Sequence, residues 1–205
     1  MMNKWSIPVL SALVAVAASI WFYSDLPESI VVHFGTNDQP DRWMSKPFGA
    51  FLLPVLILVI PLFVNLSYKL ERNENKRRRA EASLGTMMAI ISFILLAVHG
   101  FILTYNLGYE FSVFTSAAVI VGFVFIVIGN MLPKLPQSTL KWPKLSDDAR
   151  RRSSRFQGRF MIGAGFVFLL LLLLPEAARH PAFFLVLSVS IVTIIGTTFY
   201  YAKQR

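Results

Sequence analysis

The chain has 205 residues and a formal net charge of +9, yet 55% of its residues are hydrophobic and only 15% are charged. A soluble domain carries about 25% charged residues, so this composition points to an integral membrane protein, and no polar stretch is long enough for a separate soluble core. The absence of cysteine excludes disulfides, thiolate metal sites and thiol catalysis.

Six apolar blocks are expected to cross a membrane: residues 5–24, 48–68, 84–105, 111–130, 160–175 and 182–202. The fold class is therefore all-α, a polytopic bundle of six transmembrane helices. The first block has Lys4, an apolar centre and Ala15-Val16-Ala17, features shared with cleaved signal peptides. Its apolar run continues through Ile20, Trp21 and Phe22 to Tyr23, aromatics suited to an interface, so a retained helix is expected.

The next segment, LPESIVVHFGTNDQPDRWMSKP, is polar and rich in turn residues. Asp25-Leu26-Pro27 should end the first helix, because the residue before proline avoids helical angles. Ile30 to Phe34 is β-branched and aromatic and reads as a short strand, and Gly35-Thr36-Asn37-Asp38 reads as a turn. Asp41 and Arg42 are expected to pair beside the indole of Trp43. Ser45 should cap the second helix, with Pro47 in its first turn. The whole is a structured cap between helices one and two. His33 with Asp38 and Asp41 lacks metal-ligand spacing, so no metal and no other cofactor is expected.

Within the third block, His99 is an ionisable group inside a membrane span and so a functional candidate. The plainer reading is a neutral imidazole donating to a neighbouring helix. No Walker motif, HExxH or GxSxG is present, so no enzyme is expected. Asn130 follows Gly129 at the end of the fourth block, where the pair reads as a left-handed helix cap. Pro133, Pro136 and Pro143 keep the following stretch extended. Ser146-Asp147-Asp148 then reads as a helix start, followed by a basic helix over 149–160 that carries Phe156 and lies at the membrane surface. Trp142, Arg150, Arg151, Arg152, Arg155 and Arg159 are the candidate contacts of this loop, with anionic lipid the first expected partner and a cytoplasmic protein the sharper alternative.

Lysines and arginines set the orientation. Seventeen of the twenty fall at the two termini and in the loops after the second and fourth blocks, leaving Arg42, Lys46 and Arg179 on the other side. Both termini are thus expected in the cytoplasm, and this distribution explains the basic charge without direct nucleic-acid binding. The opening loop then faces outward with a net-negative rim that includes Asp25, Glu28, Asp38, Asp41 and Glu110. Domain boundaries follow: a two-helix segment at 1–70, a basic loop at 71–83, and a four-helix domain at 84–205 with its basic loop at 131–159.

The segment LPESIVVHFGTNDQPDRWMSKP, followed by a helix with Pro54 and Pro61, resembles the domain that opens SdpI-family proteins. Leu107-Gly108-Tyr109-Glu110, Gly129-Asn130, Trp142-Pro143, Leu145-Ser146, Arg155 and Gly158-Arg159 match in the same order. The family consists of bacterial six-helix plasma-membrane proteins that confer immunity to secreted, membrane-active peptide toxins, and its best-known member also holds a transcriptional repressor at the membrane. The resemblance implies the same here: a toxin-facing outer loop drawn from His33, Phe34, Asp38, Asp41, Arg42, Trp43, Tyr109 and Glu110, and signalling to a cytoplasmic repressor. The stretch PQSTLKWPKLSDDARRR lacks the Gly-Ile-Arg-Thr core usual in the family, so no repressor-docking residue is assigned. Two other readings stand beside this one. One is a transporter of a small molecule or peptide, with His99, Asn65, Ser92 and Thr104 as polar lining. The other is a non-catalytic scaffold, with Gly122, Gly163, Gly165 and Gly196 allowing close helix contact within or between chains.

Overall fold

Apolar runs of this length can satisfy their backbone groups in lipid only as helix, and helices dominate. The computed structural model describes residues 3–35, 39–70, 74–109, 112–134 and 145–203. The helices are α1 (Ser6–Phe22), α2 (Lys46–Leu70), α3 (Glu74–Asn106), α4 (Val113–Met131), α5 (Asp147–Leu170) and α6 (Glu176–Lys203). Helices α2 to α6 are long and apolar enough to cross a membrane. The expected sixth span, α1, has 17 residues, about 25 Å of helix and at the lower limit for crossing.

The all-α expectation needs one correction. Between α1 and α2 lies an antiparallel hairpin of β1 (Ser29–Phe34) and β2 (Pro40–Ser45). Ser29 pairs with Ser45, Ile30 with Met44, Val31 with Trp43, and the register shifts around His33. β1 was legible from its composition. β2 was not, because Pro40, Asp41 and Arg42 read as loop residues. Ser45 closes β2 opposite Ser29, and α2 begins at the next residue.

The chain divides into two units, Met1–Arg72 with Ser83–Ser116, and Asn73–Ala82 with Ala117–Arg205. Most of α3 thus groups with α1 and α2. The basic stretch read as a loop over 71–83 is helical from Glu74 onward, since its run of Lys, Arg, Glu and Ala favours helix.

In the first unit, the buried faces of α1 and α2 are built from small residues and prolines. α1 buries Pro8, Ser11, Ala12, Ala15 and Ser19. α2 buries Gly49, Ala50, Pro54, Ile57, Pro61 and Asn65, one stripe at helical spacing. Large residues point outward instead: Leu10, Leu13, Ile20 and Trp21 are all more than 60% exposed. This distribution suits helices that meet through small faces while lipid covers the bulky ones.

The second unit repeats the device with glycine. A β-carbon on Gly129 would lie 2.6 Å from the Gly158 carbonyl oxygen, and one on Gly165 would lie 2.6 Å from that of Gly122. The backbones of α4 and α5 therefore touch at two points. This corrects the cap expected at Gly129-Asn130: α4 continues to Met131 and into a 3-10 turn at Leu132–Lys134. Gly129 is there for its missing side chain. Gly163 and Gly196 face open space. Phe168, fully buried, packs on Phe125 and on Phe183 of α6, each at 5.4 Å.

Ser146 caps α5 as expected, its hydroxyl accepting from the Ala149 N–H at 3.2 Å, with Asp147 and Asp148 in the first turn. The basic stretch is not a separate surface helix. It forms the first turns of α5, which runs unbroken into the apolar span.

Candidate functional site

The hairpin is held against the end of the first unit from three directions. Ile30 is fully buried in a cluster with Leu26, Ala50, Ile102 and Leu103, a burial that contributes about 1.5–3 kcal/mol. A β-carbon on Gly49 would collide with the Ile30 side chain, at 2.7 Å from Cγ2 and 2.8 Å from Cγ1. From α3, the Asn106 amide meets the edge of β1. Its Oδ1 accepts from the Val31 N–H at 2.8 Å, while its Nδ2 donates to the Val31 carbonyl at 3.0 Å and to that of Ile102 at 2.8 Å. Lys46 lies 3.6 Å from the Glu28 carboxylate and 5.1 Å above the Tyr23 ring.

These contacts sort the expected outer-loop residues. Phe34 is half-buried, packed on Phe101 at 5.6 Å and edge-on to Tyr105 at 4.7 Å. It anchors the hairpin and is not presented outward. His33, Asp41, Arg42 and Trp43 are exposed. The expected Asp41–Arg42 pair is replaced by His33 Nδ1 on Asp41 Oδ1 at 2.5 Å, because the register shift carries these two side chains together. Both are about half exposed, so the pair contributes no more than about 1 kcal/mol. Asp38 and Glu110 lie outside the described residues. Among the described residues, no three His, Cys, Asp or Glu side chains gather as metal ligands.

Tyr109 is 62% exposed and owes its position to the end of α3. Gly108 adopts φ 89°, a left-handed conformation that a side chain would strain. The Gly108 N–H reaches the Tyr105 carbonyl at 3.0 Å and the Tyr109 N–H reaches Thr104 at 3.3 Å, the paired bonds of a Schellman ending. Tyr109 then lines a groove of about 530 Å³ together with Ala18, Phe22, Asp25, Gly100, Leu103, Thr104 and Leu107. Thr104 turns its hydroxyl back onto the Gly100 carbonyl, and Gly100 leaves the floor open. The groove is an apolar channel with the Asp25 carboxylate and the Tyr109 ring in its wall.

His99 is buried and joins three helices. The Ser19 hydroxyl donates to the Ala50 carbonyl of α2 at 2.6 Å, so its one proton is spent. His99 Nε2, 3.1 Å from Ser19 Oγ and 3.2 Å from the Ala15 carbonyl, must then be the donor to α1. Nδ1 is left buried and without a partner, as is Asn65 Oδ1. Asn130, a second polar candidate, sits exposed at the end of α4 and accepts from Lys134 Nζ at 3.0 Å. Of the inner-loop candidates, Trp142 lies outside the described residues. Arg150 is half-buried, and Arg151, Arg152, Arg155 and Arg159 are exposed on α5. The clamp of Asn106, the node at Ser19 and the groove were missed by sequence reasoning, since each joins residues far apart in the chain.

No curated protein and no solved structure matches the chain. Residues 10–58, which hold most of α1, the hairpin and the first half of α2, match a domain of unknown function, DUF1648, the family in general of SdpI-type amino-terminal domains.

Proposed function

We propose that this chain is a non-catalytic immunity protein of the SdpI type, set in a bacterial plasma membrane, that captures a secreted, membrane-active peptide. In this reading six helices cross the bilayer, both termini are cytoplasmic, and the hairpin and groove face outward. One observation carries the reading. The groove of about 530 Å³ shares Leu103, Leu107 and Ala18 with the cluster around Ile30 of the hairpin, in the unit that contains the DUF1648 match, with Asp25, Thr104 and Tyr109 in an otherwise apolar wall. An amphipathic peptide could lay an apolar segment along Ala18, Leu103 and Leu107 while an amine meets Asp25. Asp41 and Trp43 are exposed on the hairpin.

The transporter reading needs polar groups around one cavity. Of His99, Asn65, Ser92 and Thr104, Thr104 alone lines the groove. A signalling role toward a cytoplasmic repressor rests on the family resemblance, and its central stretch, residues 135–144, lies outside the described residues.

The test uses a sensitive bacterial strain, a membrane-potential dye and purified sporulation-delaying-type peptide. Cells that carry the chain should keep their potential, and cells with Asp25→Asn plus Tyr109→Ala at equal expression should lose it. Equal collapse with and without the wild-type chain would overturn the proposal.

A further inference from the structure

The cationic end of α5 has no part in the hairpin or the groove. Arg151, Arg152, Arg155 and Arg159 are all exposed, and at 3.6 residues per turn they fall within one arc of roughly 100°. Phe156, 44% exposed, flanks the arc and stacks on Phe160 at 6.5 Å. The opposite side of the helix is buried through Ala149, Ser153 and Gln157, and Gly158, at the edge of the arc, is buried as well. Gly158 lies against Gly129, and the Gln157 amide donates to the Ile194 carbonyl at 2.9 Å and to Thr198 Oγ1 at 2.7 Å. Packing at its back therefore fixes the direction in which the cationic face points. Asp148 engages Arg152 at 2.5 Å. The side chains of Arg151, Arg155 and Arg159 make no ion pair or hydrogen bond among the described residues.

Length sets the depth of these groups. The helix and the 3-10 turn that extends it end at Leu173, 80% exposed. A hydrocarbon layer of about 30 Å takes about 20 helical residues, so counting back from Leu173 puts its near edge at about residue 154. Arg155 then sits at the edge, with Arg151 and Arg152 about one turn outside it and Arg159 about one turn inside. Helical side chains lean toward the helix N-terminus, which here points out of the hydrocarbon. Arg159 thus reaches back toward the boundary, where Arg155 sits, and Arg151 and Arg152 stand about one turn outside it, so the guanidiniums of three successive turns line the headgroup layer. That layer is where lipid phosphates lie, and each cation near it is attracted to their negative charge.

We propose that this face of α5 is a binding site for the phosphate groups of anionic phospholipids in the adjacent leaflet, the helix standing through the headgroup layer with Phe156 at the acyl boundary. The site belongs to α5 alone and does not depend on peptide capture by the hairpin. A soluble nucleic acid or acidic protein fits less well, because the length of the span draws the arginines into the interface.

The full chain would be incorporated into equimolar phosphatidylglycerol and phosphatidylcholine vesicles, extracted in mild detergent, and its retained lipids measured by mass spectrometry. Wild type should be enriched in phosphatidylglycerol. R151Q/R155Q/R159Q should lose that enrichment by about fivefold per arginine, while R151K/R155K/R159K keeps most of it. Helix content by circular dichroism checks the fold, and the lysine variant keeps the test decisive should the glutamine variant misfold. Three results would each overturn the proposal. They are equal enrichment in the glutamine variant, displacement of phosphatidylglycerol by millimolar inorganic phosphate, and tighter binding of an oligonucleotide or acidic peptide than of lipid.

Discussion

Asn106 meets Val31 as one strand residue meets another. Its side-chain amide exchanges two hydrogen bonds with the Val31 backbone, at 2.8 and 3.0 Å, across 75 residues of sequence. The edge of β1 is thereby closed by a side chain of α3, and a hairpin that would be marginal alone is tied to the helix bearing the groove. Asn106→Asp keeps the acceptor and removes both donors, leaving the Val31 carbonyl unpaired. We expect a loss of about 1–3 kcal/mol, with faster proteolysis confined to residues 29–45. An unchanged cleavage rate would show that the clamp contributes nothing to hairpin docking.

Gly49→Ala places a methyl group into Ile30. Overpacking of this kind costs about 1–3 kcal/mol. Ile30→Ala removes two of the three closest atoms and should rescue the variant only in part, because Cβ remains. Thermal unfolding of the two single variants and the double variant reads the coupling.

The Ser19 node fixes the tautomer of His99. Nitrogen-15 solid-state NMR of histidine-labelled protein should place the proton on Nε2, with a Nδ1 signal typical of an imidazole acceptor outside any strong hydrogen bond. A proton on Nδ1 would contradict the direction of the Ser19 bond to Ala50. Ser19→Ala should cost about 0.6–1.7 kcal/mol, the range for polar contacts between membrane helices. His99→Leu should add less in that background than in wild type.

Gly158→Leu drives a side chain into Gly129 and Pro133, and Gly163→Leu faces open space. The first should lower the unfolding midpoint clearly and the second should leave it nearly unchanged. The same ordering is expected for Gly165→Leu, against Gly122 and Ile126, relative to Gly196→Leu. Equal effects at all four positions would count against the close approach of α4 and α5.

Much of this architecture was legible because membrane helices announce themselves by length and hydropathy, and because Ser146-Asp147-Asp148 is a local signal for a local event. β1 was legible for the same reason. Gly129 was misread because glycine at the end of an apolar run looks the same whether it serves a left-handed turn or a close approach. Gly108, by contrast, does take the left-handed conformation. Glu74 to Ala82 was read as a loop because charge suggested solvent, although those residues favour helix. Phe34 was expected to face outward, yet an aromatic at a strand end packs wherever another aromatic waits, here Phe101 and Tyr105. The Asn106 clamp has no local pattern at all. It depends on a helix end and a strand edge that meet only after folding.

The two glycine contacts between α4 and α5 also limit how those helices can move. Gly122 and Gly129 are seven residues apart, as are Gly158 and Gly165, and in both contacts, Gly129 with Gly158 and Gly122 with Gly165, the bare α-carbon of each glycine faces the carbonyl oxygen of the other. Sliding one helix along the other sets a glycine against a side chain at once. The next register with any glycine opposite a glycine lies about 10.5 Å away, too far for a packed bundle. These helices therefore have no ratchet position open to them, and any displacement delivered to the arginine end of α5 must carry α4 with it.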